Sequence, residues 1–101
     1  MLTFEKVLEV FEDFLDKNKS YEVLHTSQGC MVVNWACCVR NDWVTGQLCR
    51  TPENLRDALR FGFVEHQSLC LTDSYKRDLT DQEYQDIERM GMELAARCEV
   101  N

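Results

Sequence analysis

The sequence predicts one α+β domain with the element order α-β-β-β-α-α, in which a three-stranded antiparallel meander is packed on one face by helices. A chain of 101 residues, 45% of them hydrophobic, can form one hydrophobic core without needing cross-links. Apolar residues recur at helical spacing near both ends of the chain, whereas the middle of the chain alternates as strands do. Capping and turn residues separate these segments. We therefore expect residues 1–101 to form a single domain.

The first predicted element is a helix from about Thr3 to Asn18, with Thr3 as its capping residue. Its apolar residues recur at steps of three and four, which makes one stripe that can face a core. They are Phe4, Val7, Leu8, Phe11, Phe14 and Leu15. The acidic residues of this segment fall mainly on the other side, where they form a solvated face.

Three strands are predicted next, at Tyr21–Thr26, Cys30–Arg40 and Trp43–Cys49. Ser27-Gln28-Gly29 suits a three-residue hairpin loop in which the glycine takes the left-handed conformation. Asn41-Asp42 suits a two-residue turn, because Asn and Asp tolerate a positive φ.

These turns predict the pairing of the strands. The first turn pairs Val23 with Val33, and the second pairs Trp35 with Leu48. Side chains alternate along a strand, so both registers assign one set of residues to the face where we expect the helices. That set is Tyr21, Val23, Met31, Val33, Trp35, Cys37, Val39, Val44 and Leu48. The opposite, outer face is mixed and comprises Leu24, Cys30, Val32, Asn34, Ala36, Cys38, Trp43, Thr45, Gln47 and Cys49.

Two helices complete the predicted order. The first begins at Thr51-Pro52-Glu53, which supplies a cap, a proline at the first helical position and an acid in the first turn. Its apolar side is formed by Leu55, Ala58, Leu59, Gly62, Phe63 and His66, and the sequence leaves its end open. The last helix begins with a capping box from Thr80 to Glu83. Its predicted buried stripe is Tyr84, Ile87, Gly91, Leu94, Ala95 and Cys98.

The charge balance argues against two classes of partner. The chain has 18 acidic and 11 basic residues, a net charge of −7, so we expect no direct binding to nucleic acid and no docking on an anionic membrane. The N-terminal segment lacks the basic start and uninterrupted apolar run of a signal peptide. No segment approaches the roughly 20 apolar residues of a membrane span. We expect a cytoplasmic protein with reduced thiols.

The six cysteines lack the spacing of a metal site. They stand at positions 30, 37, 38, 49, 70 and 98, with no C-x-x-C pair. Cys37 and Cys38 are adjacent on a predicted strand and therefore point to opposite faces. We expect no metal and no cofactor, with the cysteines acting as small buried hydrophobic residues.

Cys49 is the best candidate for a reactive thiol. It lies two residues before the cap at Thr51, where the helix dipole could lower its pKa, and Asn34 is its predicted cross-strand neighbour. However, both histidines, His25 and His66, are predicted far from it. We therefore expect a partly buried strand cysteine and no enzyme; the alternative is a thiol enzyme or redox protein centred on Cys49.

The outer sheet face carries the clearest signal of interaction. Monomers rarely expose a large contiguous apolar patch, so we expect a helix or another chain to cover this face. The interface candidates are Leu24, Val32, Ala36, Cys38 and Trp43. The sequence therefore predicts a protein–protein interaction module that forms a homodimer through this face.

The acidic residues suggest an alternative. The element order, small size and acidity of the chain resemble some phage-encoded inhibitors of CRISPR nucleases, which present carboxylates where DNA phosphates would bind. The resemblance implies that the chain would occupy a basic nucleic-acid channel of a partner protein. It rests on architecture and composition, so no functional residue is carried over. The acids that should then cluster in space are Glu5, Glu9, Glu12, Asp13, Asp16, Asp81, Glu83 and Asp86.

Overall fold

The computed structural model describes residues 2–18, 21–34, 46–73 and 76–99. Over these ranges it confirms the α+β architecture, with N-terminal helices, an antiparallel sheet of order β1-β2-β3, and two long packed helices. The helices are α1 Phe4–Val10, α2 Glu12–Lys17, α3 Pro52–Leu71 and α4 Asp81–Arg97. The strands are β1 Tyr21–Thr26, β2 Gly29–Asn34 and β3 Gly46–Cys49. The predicted strand segments 35–40 and 43–45 and the turn Asn41-Asp42 lie outside the described residues.

The predicted first helix is divided into two at Phe11. This residue has φ −93° and ψ 8°, outside the helical region, yet its N–H donates to Val7 and its carbonyl accepts from Leu15. Hydrogen bonding therefore continues through the break, and the Phe11 ring is fully buried. Thr3 caps α1 as predicted, because its Oγ1 accepts from the N–H of Lys6 at 3.1 Å.

The predicted register of the first hairpin is wrong by one residue. Thr26 pairs with Gly29 and Val23 with Val32, which leaves a two-residue turn. The Thr26 hydroxyl tightens this turn, since it accepts from the N–H of Gln28 at 3.1 Å and donates to the carbonyl of Gly29 at 3.0 Å. Gly29 has φ +136°, but it lies at the start of β2, where a Cβ would collide with the carbonyl oxygen of Cys49.

The second predicted register is also wrong. Cys30 pairs with Cys49 and Met31 with Leu48, so Leu48 does not face Trp35. The observed register differs from the predicted one by four residues. Because side chains alternate along a strand, a shift by an even number leaves the same residues of β2 and β3 on a common face. The one-residue slip in the first hairpin instead places Val23 on the same face as Cys30 and Cys49.

The helices pack on the face that the sequence predicted to be the outer one. Cys30, Val32 and Cys49 are buried in the same core cluster as residues of α1, α2 and α3. The prediction that Met31, Val33 and Leu48 face the helices is therefore wrong, because side chains adjacent along a strand point to opposite faces. Val33 is nevertheless buried.

The two long helices start where the sequence predicts. Thr51 accepts from the N–H of Asn54 at 3.1 Å, and Thr80 and Glu83 form the reciprocal capping box. The helix α3 continues through Gly62, because this glycine lies against the ring of Tyr21 and serves close packing on the sheet.

The buried stripe of α4 is narrower than predicted. Ile87, Gly91 and Cys98 are buried, but Tyr84 is exposed. Among the helices of the described ranges, none has the length and apolar character needed to cross a membrane.

Candidate functional site

Exposed apolar side chains gather on one surface of the α3 and α4 pair. Phe61 is 70% exposed, Met92 60% and Tyr84 52%. A cavity of ≈ 510 Å³ between the helices is lined by Phe61, Val64 and Tyr84, and a second of ≈ 540 Å³ along α4 is lined by Tyr84 and Met92. We define the α3–α4 surface by Arg60, Phe61, Val64, Tyr84, Glu88 and Met92.

The spacing of α4 explains why this surface stays open. Gly91 faces α3, since a Cβ there would lie 3.1 Å from the Val64 side chain, and Ile87, one turn earlier on the same side of α4, is buried. Tyr84, Glu88 and Met92 recur every four residues along the neighbouring stripe of the helix. They therefore line the rim of the helix pair, where Phe61 meets them from α3.

The α3–α4 surface carries charges of both signs. No ion pair reaches Arg60 among the described residues, and the stem of this side chain lies against Gly91. Glu65 also lines the cavity of ≈ 510 Å³ between the two helices. Interaction with the Glu88 carboxylate raises the pKa of the Tyr84 hydroxyl. In contrast, Arg56 at the edge of the helix pair is already bound to Asp57 and Glu99.

The structure separates the predicted interface residues. Val32 is buried under the helices, whereas Leu24 is 42% exposed on the opposite face of the sheet. Leu24 stands in a cross-strand row with Met31 and Leu48 on that face. The other three candidates, Ala36, Cys38 and Trp43, lie outside the described residues.

One residue from each strand forms a polar row near the first hairpin turn. His25 pairs with Cys30, and Cys30 pairs with Cys49, so all three residues share the helix-packed face. The Sγ of Cys30 lies 3.7 Å from Nδ1 of His25. The Sγ of Cys49 donates to the carbonyl of Gln47 at 3.7 Å. Cys30 and Cys49 are 1% and 0% exposed, respectively.

The environment of Cys49 differs from the predicted one. Its cross-strand neighbour is Cys30 and not Asn34. Burial raises the pKa of the Cys49 thiol, and negative charge on Cys30 raises it further. Burial also raises the pKa of Cys30, with a smaller contribution from Glu5. Burial therefore sets the direction of the shift at Cys49, and its pKa is raised and not lowered.

A second cysteine–histidine contact lies on α3. The Sγ of Cys70 is 3.6 Å from Nε2 of His66, and this cysteine is exposed. The four-residue spacing of His66 and Cys70 on a predicted helix was a signal for this contact. The contact of His25 with Cys30, in contrast, depends on the register that the turn determines. Within the part of the chain that the structure describes, no three His, Cys, Asp or Glu side chains are grouped to hold a metal ion.

Two of the acidic residues proposed to cluster, Asp13 and Asp81, lie in separate places. Asp13 lines a cavity of ≈ 210 Å³ together with Leu94 and Arg97, so α2 lies beside the C-terminal half of α4. Asp81 stands at the other end of that helix, and the rise from Asp81 to Leu94 is about 20 Å. Of the α4 acids, Glu83 and Asp86 already form ion pairs with basic residues.

Comparison of the chain with protein-family models, with curated proteins and with solved structures found no match.

Proposed function

We propose that this chain is a non-catalytic protein-binding module that self-associates through the α3–α4 surface. The observation that carries the proposal is the high exposure of Phe61 beside Tyr84 and Met92. Exposed apolar patches on soluble proteins commonly mark interaction sites. Aromatic residues at such patches are frequent anchors of binding energy.

The charges of this surface favour a second copy as the partner. A twofold interface must be complementary to itself, because the same patch is used by both subunits. The α3–α4 surface offers Arg60, which no described residue pairs, and the carboxylates of Glu65 and Glu88. Arg60 of one copy can therefore meet an acidic group of the other copy while the apolar side chains stack between them.

The size of the exposed patch predicts a weak association. A large aromatic side chain buries roughly 150–250 Å² when fully covered, whereas a stable interface needs about 800 Å² from each partner. Three partly exposed side chains supply only part of that area. We therefore expect a concentration-dependent dimer with a dissociation constant of about micromolar or weaker.

The sheet face opposite the helices is a second candidate surface for the same function, and we call it the outer sheet face from here on. Leu24, Met31 and Leu48 form an apolar row there, and Leu24 is exposed. We rank this row below the α3–α4 surface because two of its three side chains are half-buried.

The two other functions that the sequence left open have less support. An acidic inhibitor that mimics nucleic acid needs one continuous acidic face, whereas Asp81 lies about 20 Å along α4 from Leu94, which lines a cavity together with Asp13. A thiol enzyme centred on Cys49 needs an accessible thiolate, whereas Cys49 is buried with a raised pKa. We propose a cytoplasmic location from the charge and cysteine pattern of the sequence.

Sedimentation velocity over a concentration series tests the proposal. The wild-type sedimentation coefficient should rise with concentration, and Phe61→Glu should hold the protein monomeric because a charge would be buried at the contact. Leu24→Glu is the matched control on the outer sheet face and should behave as wild type. Circular dichroism of each variant checks that the fold is kept.

Two results would contradict the proposal. A wild-type protein that stays monomeric at every concentration excludes self-association. Loss of association in Leu24→Glu but not in Phe61→Glu would assign the contact to the outer sheet face instead.

A further inference from the structure

The pair formed by Cys30 and Cys49 is arranged for a covalent bond. These residues are direct partners across the antiparallel strands β2 and β3, and both are free thiols. Directly opposed residues of antiparallel strands have Cα atoms about 4.5–5.5 Å apart. This spacing falls within the range of about 4.4–6.8 Å found in disulfides.

The backbone brings the two strands close together at this point. Gly29, which precedes Cys30, lies against the carbonyl of Cys49 so closely that no side chain would fit. Both residues belong to the same core cluster and lie on the helix-packed face of the sheet. A bond between them therefore needs side-chain rotation but no rearrangement of the strands.

His25 supplies a base at the edge of this pair. Its Nδ1 lies 3.7 Å from the Sγ of Cys30, and its side chain is exposed to solvent. The imidazole can take the thiol proton of Cys30 and later give it to a leaving group. The charged group that opposes thiolate formation is Glu5, which lies on α1.

We propose that Cys30 and Cys49 form an intramolecular disulfide when hydrogen peroxide oxidises them, with Cys30 as the attacking thiol and His25 as the acceptor of its proton. Peroxide is the oxidant in this proposal because it is small enough to reach a thiol that is almost fully buried. The proposal is independent of the proposed binding function.

The reaction has two balanced steps. In the first, the Cys30 sulfur attacks one peroxide oxygen, the S–O bond forms, the O–O bond breaks, and the departing hydroxide takes the proton held by His25 to give water. Cys30 is then a sulfenic acid. In the second step, the Cys49 sulfur attacks the Cys30 sulfur, the S–S bond forms, the S–O bond breaks, and the released hydroxide takes the Cys49 proton. Two thiols thus lose two electrons and two protons, and peroxide is reduced to two waters.

The other described cysteines lack one of these features. Cys98 is buried on the last turn of the helical region, where its Sγ donates to the carbonyl of Leu94 at 3.4 Å. Cys70 has a histidine beside it but is exposed on α3, where its oxidation would link separate molecules. Among the described cysteines, Cys30 and Cys49 therefore form the pair that combines a partner thiol with a base.

The test treats the purified full chain with hydrogen peroxide, blocks the remaining thiols after denaturation, and maps peptides without reduction. We expect a peptide that links Cys30 to Cys49, with the mass of the chain lowered by two hydrogens. Cys70→Ser removes the exposed thiol and should leave this link unchanged. Absence of the link, or a link from Cys30 or Cys49 to another cysteine, would overturn the proposal.

Two further variants test the roles of the residues. His25→Gln should slow formation of the link by about tenfold or more, whereas His66→Gln should leave the rate unchanged. An unchanged rate in His25→Gln would refute the role of His25. In Cys49→Ser, dimedone should trap a sulfenic acid on Cys30. The assigned order would be refuted if dimedone trapped Cys49 in the Cys30→Ser variant but did not trap Cys30 in the Cys49→Ser variant.

Discussion

Phe61 of α3 and Tyr84 of α4 line the same cavity from opposite helices, and each ring is more than half exposed. Two aromatic rings on one open rim offer apolar contact area and, through the Tyr84 hydroxyl, a polar group. The core does not account for this arrangement, because α4 packs through Ile87 and Gly91 on the adjacent stripe. We therefore base the proposed function on the α3–α4 surface, to which both rings belong.

The close approach at Gly29 predicts a large loss of stability. Gly29→Ala would force a Cβ against the Cys49 carbonyl at a residue with φ +136°, and we expect it to lower the free energy of unfolding by about 2–4 kcal/mol. Urea denaturation measures the change. Gly46→Ala is the matched control with a smaller expected loss, because its Cβ would meet the flexible side chain of Met31 at 3.0 Å and the Val32 carbonyl oxygen at 3.3 Å. Equal losses in the two variants would contradict the strand geometry described above.

The contact between Arg77 and Glu83 predicts an acid-sensitive contribution to stability. The guanidinium binds both carboxylate oxygens at 2.8 Å, and with the N–H of Thr80 it lowers the pKa of Glu83 from its ordinary value of 4.5 to about 2. A lowered carboxyl pKa stabilises the fold above pH 4.5, and this contribution is lost as the pH falls toward about 2. Glu83→Gln should therefore be less stable than wild type at neutral pH, and the difference should shrink across that window.

Thermal unfolding at a series of pH values measures this difference. Glu53→Gln is the control, because Glu53 is also a first-turn acid but belongs to no ion pair among the described residues. A gap between wild type and Glu83→Gln that does not change with pH would show that the Arg77 contact does not stabilise the charged carboxylate.

The burial of the thiols predicts the order in which they react. Cys70 is exposed and should be alkylated rapidly in the native protein, whereas Cys30, Cys49 and Cys98 are buried with raised pKa values and should react slowly. Timed labelling with iodoacetamide followed by peptide mapping measures the rates. If Cys49 were labelled as fast as Cys70, the alternative of a reactive thiol would regain support.

Local residue chemistry was sufficient to predict the starts of α1, α3 and α4, but not the break before α2. Thr3, Thr51 and Thr80 each accept a backbone hydrogen bond at the beginning of a helix, as their sequence contexts indicate. The end of α3 could not be predicted, because the reason for Gly62 is its contact with Tyr21, which is distant in the sequence.

The orientation of the sheet could not be predicted for a different reason. Val32 and Val33 are adjacent, face opposite sides, and are both buried, so alternation in this strand does not indicate which face meets the helices. The register depends on the Thr26 hydroxyl, which favours a two-residue turn over the loop expected from Gly29. Because the row from His25 to Cys49 follows from that register, it could not be predicted either.

The α3–α4 surface could not be predicted either, because helical spacing alone does not show which residues at the edge of a buried stripe are exposed. Tyr84 has the helical spacing of the buried stripe of α4, so the sequence predicts that it is buried. In the structure Gly91 packs on Val64, and Tyr84 lies beside this contact and is exposed. The sequence predicts an interaction module, but the residues it nominated are divided between the core, the outer sheet face and the segment outside the described residues.

Methionine methyl groups provide the most direct test of self-association through the α3–α4 surface. Met92 lies on that surface, and Met31 lies in the apolar row of the outer sheet face. In a spectrum of isotope-labelled methionine methyl groups recorded over a dilution series, we expect the Met92 resonance to shift with concentration while the Met31 resonance stays constant. Phe61→Glu should abolish the Met92 shift. A shift of Met31 without Met92, or no shift of either, would contradict the account.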